Sequence, residues 1–221
     1  LMESFLELSR SVVNAENFDK NCQTWNDLFQ DPSQKPSTTG FGSITADKSA
    51  ATRSTGLTLS AWIRPSKVTE KWQTIVRRED SWRRQLLAIG GTGGTWGIWM
   101  GAGIEGRYVE FGAPVKLNAL GDGKWHHVAG TFDGKQMNLY VDGKQVGRKS
   151  IVGKLYTESK ETMQIGSYQN EPFHGDLNDV RLFRTGLSKL QIEEIADGKQ
   201  DVAKEEMVGS WKRNDDVKPE L

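Results

Sequence analysis

The stretch from Lys124 to Gly147 reads Lys-Trp-His-His-Val-Ala-Gly-Thr-Phe-Asp-Gly-Lys-Gln-Met-Asn-Leu-Tyr-Val-Asp-Gly-Lys-Gln-Val-Gly, and it narrows the possible folds more than any other. Its two Asp-Gly pairs, Asp133-Gly134 and Asp142-Gly143, each join runs rich in β-branched and aromatic residues. Asp-Gly readily takes the positive φ of tight hairpin turns, so three strands joined by two hairpins follow. Between the turns Met137, Leu139 and Val141 alternate with Gln136, Asn138 and Tyr140, the period of a strand with one face on a core. Before them, Val128 and Phe132 share one face while Trp125, His127 and Thr131 share the other. This pattern places the meander at the centre of an antiparallel sheet.

More strands flank it. Leu57, Leu59, Ala61 and Ile63 alternate with Thr58, Ser60, Trp62 and Arg64, and Pro65 ends the run. Trp72 to Arg77 is a second strand, leading into a polar connection, Arg78 to Arg84. Three short strands are expected at 85–89, 96–100 and 107–111, separated by Gly90-Gly-Thr-Gly-Gly94 and Gly101-Ala-Gly103. A strand over 160–167 and a long one over 175–183 complete the set. Ser188 with Gln191 forms a capping box for a helix through Ile195, and Gly198 is its stop.

The two ends read differently. Met2, Phe5, Leu6, Ser9, Val12 and Val13 recur at helical spacing, as do Phe18, Cys22, Trp25 and Phe29, which predicts two short amphipathic helices. Asp31 to Gly40 is a linker by its proline and small polar content. The expected organisation is thus a helical segment and linker over 1–39, a sandwich over 40–198, and a charged tail over 199–221 anchored by Met207, Val208 and Trp211.

The order Trp-His-His-Val-Ala-x-Thr-Phe-Asp-Gly followed by Leu-Tyr-Val-Asp-Gly-Lys resembles the laminin-G-like branch of the concanavalin A-like lectin/glucanase superfamily. Leu57 to Pro65, Trp72 to Val76, Ile165-Gly166, Phe173 to Phe183 and Leu187 to Ile195 resemble that family's other segments in the same order. The resemblance implies an all-β fold, an antiparallel β-sandwich of jelly-roll type with short flanking α-helices. It also implies a recognition role in an exported protein, although one fold serves many ligands.

Composition removes several function classes. Lysine plus arginine and aspartate plus glutamate both total 29, so no global field favours nucleic acid or an anionic membrane. No apolar run reaches the length of about 18 residues that a transmembrane helix needs. The N-terminus lacks a basic segment followed by an apolar one, which fits an intracellular protein or a piece of an exported one. The resemblance favours the second, at an extracellular, periplasmic or cell-surface location. Cys22 is the sole cysteine, and with no histidine near it in sequence it reads as a core residue.

Catalytic and cofactor chemistry find little support. The paired-carboxylate strand of the glucanases, Glu-x-Asp-x-x-Glu or Glu-x-Asp-x-Glu, is absent. Glu105 and Glu110 are five apart and fall on opposite faces of a regular strand. His126 and His127 are neighbours that point to opposite faces, and His174 stands apart, so no zinc site is legible. The glycine runs lack dinucleotide spacing and a following helix. The resemblance implies calcium at the sandwich rim, for which Asp176, Asn178 and Asp179, with Asp47, supply oxygens. Pairing of Asp179 with Arg181 is the competing reading.

The strongest recognition signal is an aromatic and arginine cluster. Trp82, Arg83 and Arg84 share one connection, while Trp99 and Tyr108 lie on neighbouring strands with Glu110 on the Tyr108 face. Aromatic faces stack on sugar rings, and arginine forks suit carboxylate or sulfate groups, a combination fitting an acidic polysaccharide. Two ordinary alternatives stand beside it: tryptophans that fill the core, and loop arginines paired with Glu79 and Asp80. The expected function is a non-catalytic module that binds a polysaccharide, within a larger exported bacterial protein. The rival functions are a protein-interaction domain, docked through its helices, and a glycan-cleaving enzyme of unfamiliar type.

Overall fold

Period-two sequence runs become two six-stranded antiparallel sheets packed face to face. The computed structural model describes residues 43–44, 55–69, 71–91, 96–156, 161 and 163–212. The two expected N-terminal helices, Cys22, the linker, Asp47 and the chain beyond residue 212 lie outside these residues. The first sheet contains β1 (Ser43–Ile44), β3 (Gln73–Arg78), β4 (Gln85–Gly90), β5 (Gly97–Ile104), β6 (Arg107–Pro114) and β10 (Met163–Ile165), in the order β1-β10-β3-β4-β5-β6. The second contains β2 (Leu57–Pro65), β7 (His126–Phe132), β8 (Gln136–Val141), β9 (Lys144–Ser150), β11 (Gly175–Phe183) and β12 (Met207–Trp211), in the order β12-β11-β2-β7-β8-β9. Among the described residues two α-helices accompany them, α1 (Leu117–Leu120) and α2 (Lys189–Ala196), with a 3-10 turn at Lys204–Glu206.

The core fills the space between the sheets. Leu59, Ala61, Ile63, Val128, Phe132, Met137 and Leu139 point inward from one sheet, and Leu87, Ile89, Ile98, Met100 and Ile104 from the other. Each such side chain taken from water contributes about 1.5–3 kcal/mol. At Gly130 the sheets approach so closely that any Cβ would press on Met100.

The hairpins form where the Asp-Gly pairs stand. Asp142 and Gly143 both have positive φ, 49° and 73°, the signature of a type I′ turn. The Asp133 carboxylate accepts hydrogen bonds from the Lys135 and Gln136 amides, each at 2.8 Å, and closes the other turn. The meander nonetheless occupies one half of its sheet rather than the centre. Strand β9 is almost wholly exposed and carries Lys144, Arg148 and Lys149, the composition of a protected edge, whereas β2 is buried and lies in the interior of the sheet.

A second difference concerns the glycines of β5. Gly101-Ala-Gly103 does not interrupt the strand; the turn falls at Glu105-Gly106, with φ of 48° and 75°. Glu105 therefore sits in a turn, not on a strand opposite Glu110. Helix α2 has the expected capping box, and Gly198 follows it with φ of 84°. The helix lies on the outer face of the second sheet, where Ile192 and Ile195 pack with Ala129, Tyr140 and Phe183.

Adjacent histidines on β7 meet opposite environments. His126 places Nδ1 2.9 Å from Asp142 and Nε2 3.0 Å from Asp122, contacts that only the doubly protonated ring can donate to two carboxylates. The Asp142 bond, supported by Asp122, raises its pKa above 6.5. His127 is fully buried against Trp62 and has no hydrogen-bond partner for either ring nitrogen among the described residues. Burial, reinforced by the Arg181 charge, lowers its pKa to about 4.

The two linkages have opposite signs. His126 stabilises the fold fully below the unfolded pKa of 6.5, and that contribution disappears as pH rises through its raised folded value. The His127 contribution is present above 6.5 and is lost as pH falls toward about 4. Urea unfolding across pH should therefore show a flattened acid limb for His127→Phe and a flattened alkaline limb for His126→Asn. Identical pH profiles for the two variants would contradict this assignment.

Candidate functional site

The outer face of the first sheet is built by one alternation along β5. Ile98, Met100, Ala102 and Ile104 fill the core, which leaves Gly97, Trp99, Gly101 and Gly103 facing outward. The glycines are seats for larger groups. A Cβ at Gly101 would overlap the Tyr108 ring, one at Gly112 would overlap the Trp99 ring, and one at Gly103 would meet the backbone of Trp82 and Arg83. Both rings therefore lie close against the sheet, partly exposed, and Ala88 beside Trp99 adds little height.

Polar groups link across this floor. The Tyr108 hydroxyl donates to Glu110 Oε2 at 2.7 Å. Burial, with the Glu110 charge beside it, pushes the phenol pKa upward, so Tyr108 remains a neutral donor. The Arg84 guanidinium lies 4.8 Å from the Tyr108 ring centre and binds Glu79 through Nε at 2.9 Å. The other Glu79 oxygen accepts from Arg77 Nε at 2.9 Å, and Arg77 Nη1 reaches Glu171 at 2.6 Å. Arg77 also stacks on Tyr168 at 3.8 Å. Burial alone would raise the Glu79 pKa, but the hydrogen bonds from Arg84 and Arg77 outweigh it and hold the carboxyl below its usual range.

Aromatic groups border the network at both ends. Trp99 donates from Nε1 to the Gly90 carbonyl at 2.8 Å and packs against Trp72 with ring centres 4.9 Å apart. Trp82 meets Tyr156 edge-on, also at 4.9 Å, with Arg83 tied to Asp80 at 3.0 Å. Of the six residues picked out by sequence, Arg84, Trp99, Tyr108 and Glu110 share this face, and Trp82 and Arg83 stand at its margin. The arginine forks are held by the protein's own carboxylates, as their nearness to Glu79 and Asp80 in sequence had suggested. Trp72, Arg77, Tyr168 and Glu171 also belong to the face. Trp72 and Arg77 read in sequence only as parts of a strand, the irregularity between Thr74 and Val76 breaks its alternation, and Glu171 meets Arg77 across 94 residues.

The residues considered for calcium lie on the other sheet. Asp176 accepts from Arg64 Nε and Nη2 at 3.0 and 2.8 Å. Asp179, at a left-handed position with φ of 45°, binds Arg181 at 2.8 and 2.6 Å through both oxygens. Asn178 accepts from the Asp179 amide at 2.8 Å. Arg181 is fully buried and also donates to the Lys199 carbonyl at 3.1 Å. A calcium ion needs oxygen ligands that converge on it with their charge unspent, and guanidinium groups occupy these carboxylates instead. The three residues do not fit that ion. No group of three or more His, Cys, Asp or Glu placed to hold a metal occurs among the described residues.

Comparison with known proteins agrees with this architecture. The family model for the concanavalin A-like lectin/glucanases superfamily matches residues 38–193. Pappalysin-1 of Mus musculus is 32% identical over 75 residues, which is 32% of this chain and 5% of that protein. A solved candidate carbohydrate-binding protein from Bacteroides ovatus ATCC 8483 superposes with a TM-score of 0.57 at 20% identity, over 72% of this chain and 45% of the other. The binding domain of botulinum neurotoxin serotype D/C gives 0.54 at 17% identity, over 72% and 40%. These likenesses establish a shared fold. No helix among the described residues is long and apolar enough to cross a membrane.

Two substitutions test the site's construction. Asp179→Ala strands a buried guanidinium and should lower unfolding free energy by about 3–5 kcal/mol, while calcium and chelator leave the wild-type midpoint unmoved. Gly101→Ala should cost about 1–3 kcal/mol by lifting the Tyr108 ring from its seat. A calcium-dependent rise in the midpoint would overturn the account of Asp176 and Asp179.

Proposed function

This chain belongs to the concanavalin A-like lectin/glucanase superfamily, and from that premise we propose that it is a non-catalytic recognition module for polysaccharide. The observation that carries the reading is the outer face of the first sheet, where Trp99 and Tyr108 lie on glycine seats beside Glu110 and Arg84. Aromatic faces there meet the C-H faces of sugar rings, while neighbouring donors and acceptors take hydroxyl groups. Along β5 the Trp99 position and the Gly101 seat of Tyr108 are two residues apart, about 7 Å, so successive rings of one chain can engage both.

The chemistry of the face favours holding over cutting. A glycosidase needs one carboxyl kept protonated near neutrality as its acid. Glu79, in the middle of the network, is driven the opposite way by two guanidinium groups. A protein-docking role has less support among the described residues. Helix α2 spends Ile192 and Ile195 on its own sandwich, and the exposed large apolar residues are Val146, Val152 and Leu190. An exported, extracellular or cell-surface setting, within a larger protein, accords with such a module.

Trp99→Ala and Tyr108→Ala should each weaken binding to a responsive polysaccharide at least about tenfold, or 1.4 kcal/mol, as measured by calorimetry or affinity electrophoresis. Trp82→Ala, at the margin, should weaken it less. Full affinity in both central variants would remove this face from consideration.

A further inference from the structure

We infer that this face selects uncharged polysaccharide over acidic polysaccharide and that Glu110 is the group that selects; the inference rests on the recognition reading above. Arginine normally favours anionic ligands because its fork matches a carboxylate or sulfate. On this face the match is already made internally. Arg84 binds Glu79, and Arg77 is held between Glu79 and Glu171. Releasing either fork to an anionic sugar would take from Glu79, which is partly buried, one of the two guanidinium groups that hold it.

Within the linked network of this face the charge that remains is negative. Glu79, Glu110 and Glu171 are three carboxylates against the two guanidinium groups of Arg77 and Arg84. Glu110 supplies the surplus. One of its oxygens accepts from Tyr108, and the other has no hydrogen-bond partner among the described residues. Half-buried at the edge of the Tyr108 ring, that oxygen accepts from a sugar hydroxyl and repels a sugar carboxylate or sulfate. Lys149, which reaches the Glu110 carbonyl at 3.1 Å, and Lys154, 5.7 Å from the Tyr156 ring, are the positive groups at the margins. They are the route by which an acidic polymer would attach non-specifically, and salt would weaken such attachment.

The test titrates the whole chain with a soluble panel comprising neutral β-glucan, xylan, arabinan and dextran, acidic polygalacturonate and heparin, and cationic chitosan. Each titration is run at about 50 and 500 mM salt. The expected result is binding to a neutral polymer that changes less than about threefold with salt, falls at least about tenfold in Trp99→Ala, and is partly kept in Trp99→Phe. Glu110→Gln should raise the ratio of acidic to neutral affinity by about three- to tenfold through loss of one charge. Unfolding midpoints of the variants separate lost binding from lost fold.

Other outcomes overturn distinct parts. Salt-sensitive binding to an acidic polymer that also depends on Trp99 overturns the selection by charge while keeping the recognition face. Preference for chitosan, suppressed by Glu110→Gln, would likewise replace the uncharged class with a cationic one. Binding to a neutral polymer that survives Trp99→Ala moves recognition to another surface. Silence across the panel overturns both the inference and the recognition reading.

Discussion

The strict two-sidedness of β5 is the constraint on which the rest of the structure depends. Its inward residues, Ile98, Met100, Ala102 and Ile104, are fully buried, and they can pack tightly because the opposite sheet offers Gly130 beneath Met100. Its outward residues are three glycines and one tryptophan, so the same strand that thickens the core is nearly bare on its other side. A sheet face without side chains is rarely left empty. Here the neighbouring strand and connection lay Tyr108 and the backbone of Trp82 and Arg83 across it, while Trp99 reaches out over Gly112 of β6.

The second sheet spends its outer face on stability. Helix α2 covers Ala129, Tyr140 and Phe183, and beside it His127, Asp179 and Arg181 form a buried polar layer. Breaking such a layer is costly because each charged member depends on its partner. The first sheet keeps most of its polar groups nearer solvent, with Arg77 buried among them, linked in a chain from Glu110 through Tyr108, Arg84, Glu79 and Arg77 to Glu171. Two faces of one sandwich thus use similar residue types for different ends, and degree of burial separates them. Arg78 marks an intermediate case: it is buried at the end of β3, and desolvation lowers its pKa to about 10 despite the Asp80 charge nearby.

The same distinction explains why the metal reading fails. Asp176, Asn178 and Asp179 look alike in sequence as oxygen donors near a strand. In the fold, Arg64 comes from the paired strand β2 and Arg181 from the far side of a bulge, and each takes one carboxylate. Neither pairing requires unusual residues. The first follows from register, which brings residues 112 apart in sequence side by side, and the second is local, between residues two apart at the bulge.

Local chemistry in the sequence determined the hairpins, most of the strands and the capped helix, while the family resemblance implied the sandwich class and strand β12 fell in the expected tail. Asp-Gly turns, period-two alternation and a Ser-x-x-Gln box act within a few residues and need no distant partner. Strand periodicity placed Glu110 on the Tyr108 face, and the aromatic and arginine content of the segments drew attention to Trp82, Arg83, Arg84 and Trp99. The place of the meander within its sheet was decided only by tertiary structure, which inserted β2 and β11 beside it and left β9 at an edge. Gly101 and Gly103 looked like chain breaks for the same reason: their use as seats depends on rings and backbone that arrive from elsewhere. Whether a guanidinium is offered to a ligand or consumed by a carboxylate was legible where the partners are close in sequence, as for Arg84 and Glu79, whereas Arg77 with Glu171 and Arg64 with Asp176 meet only because the fold brings distant segments side by side.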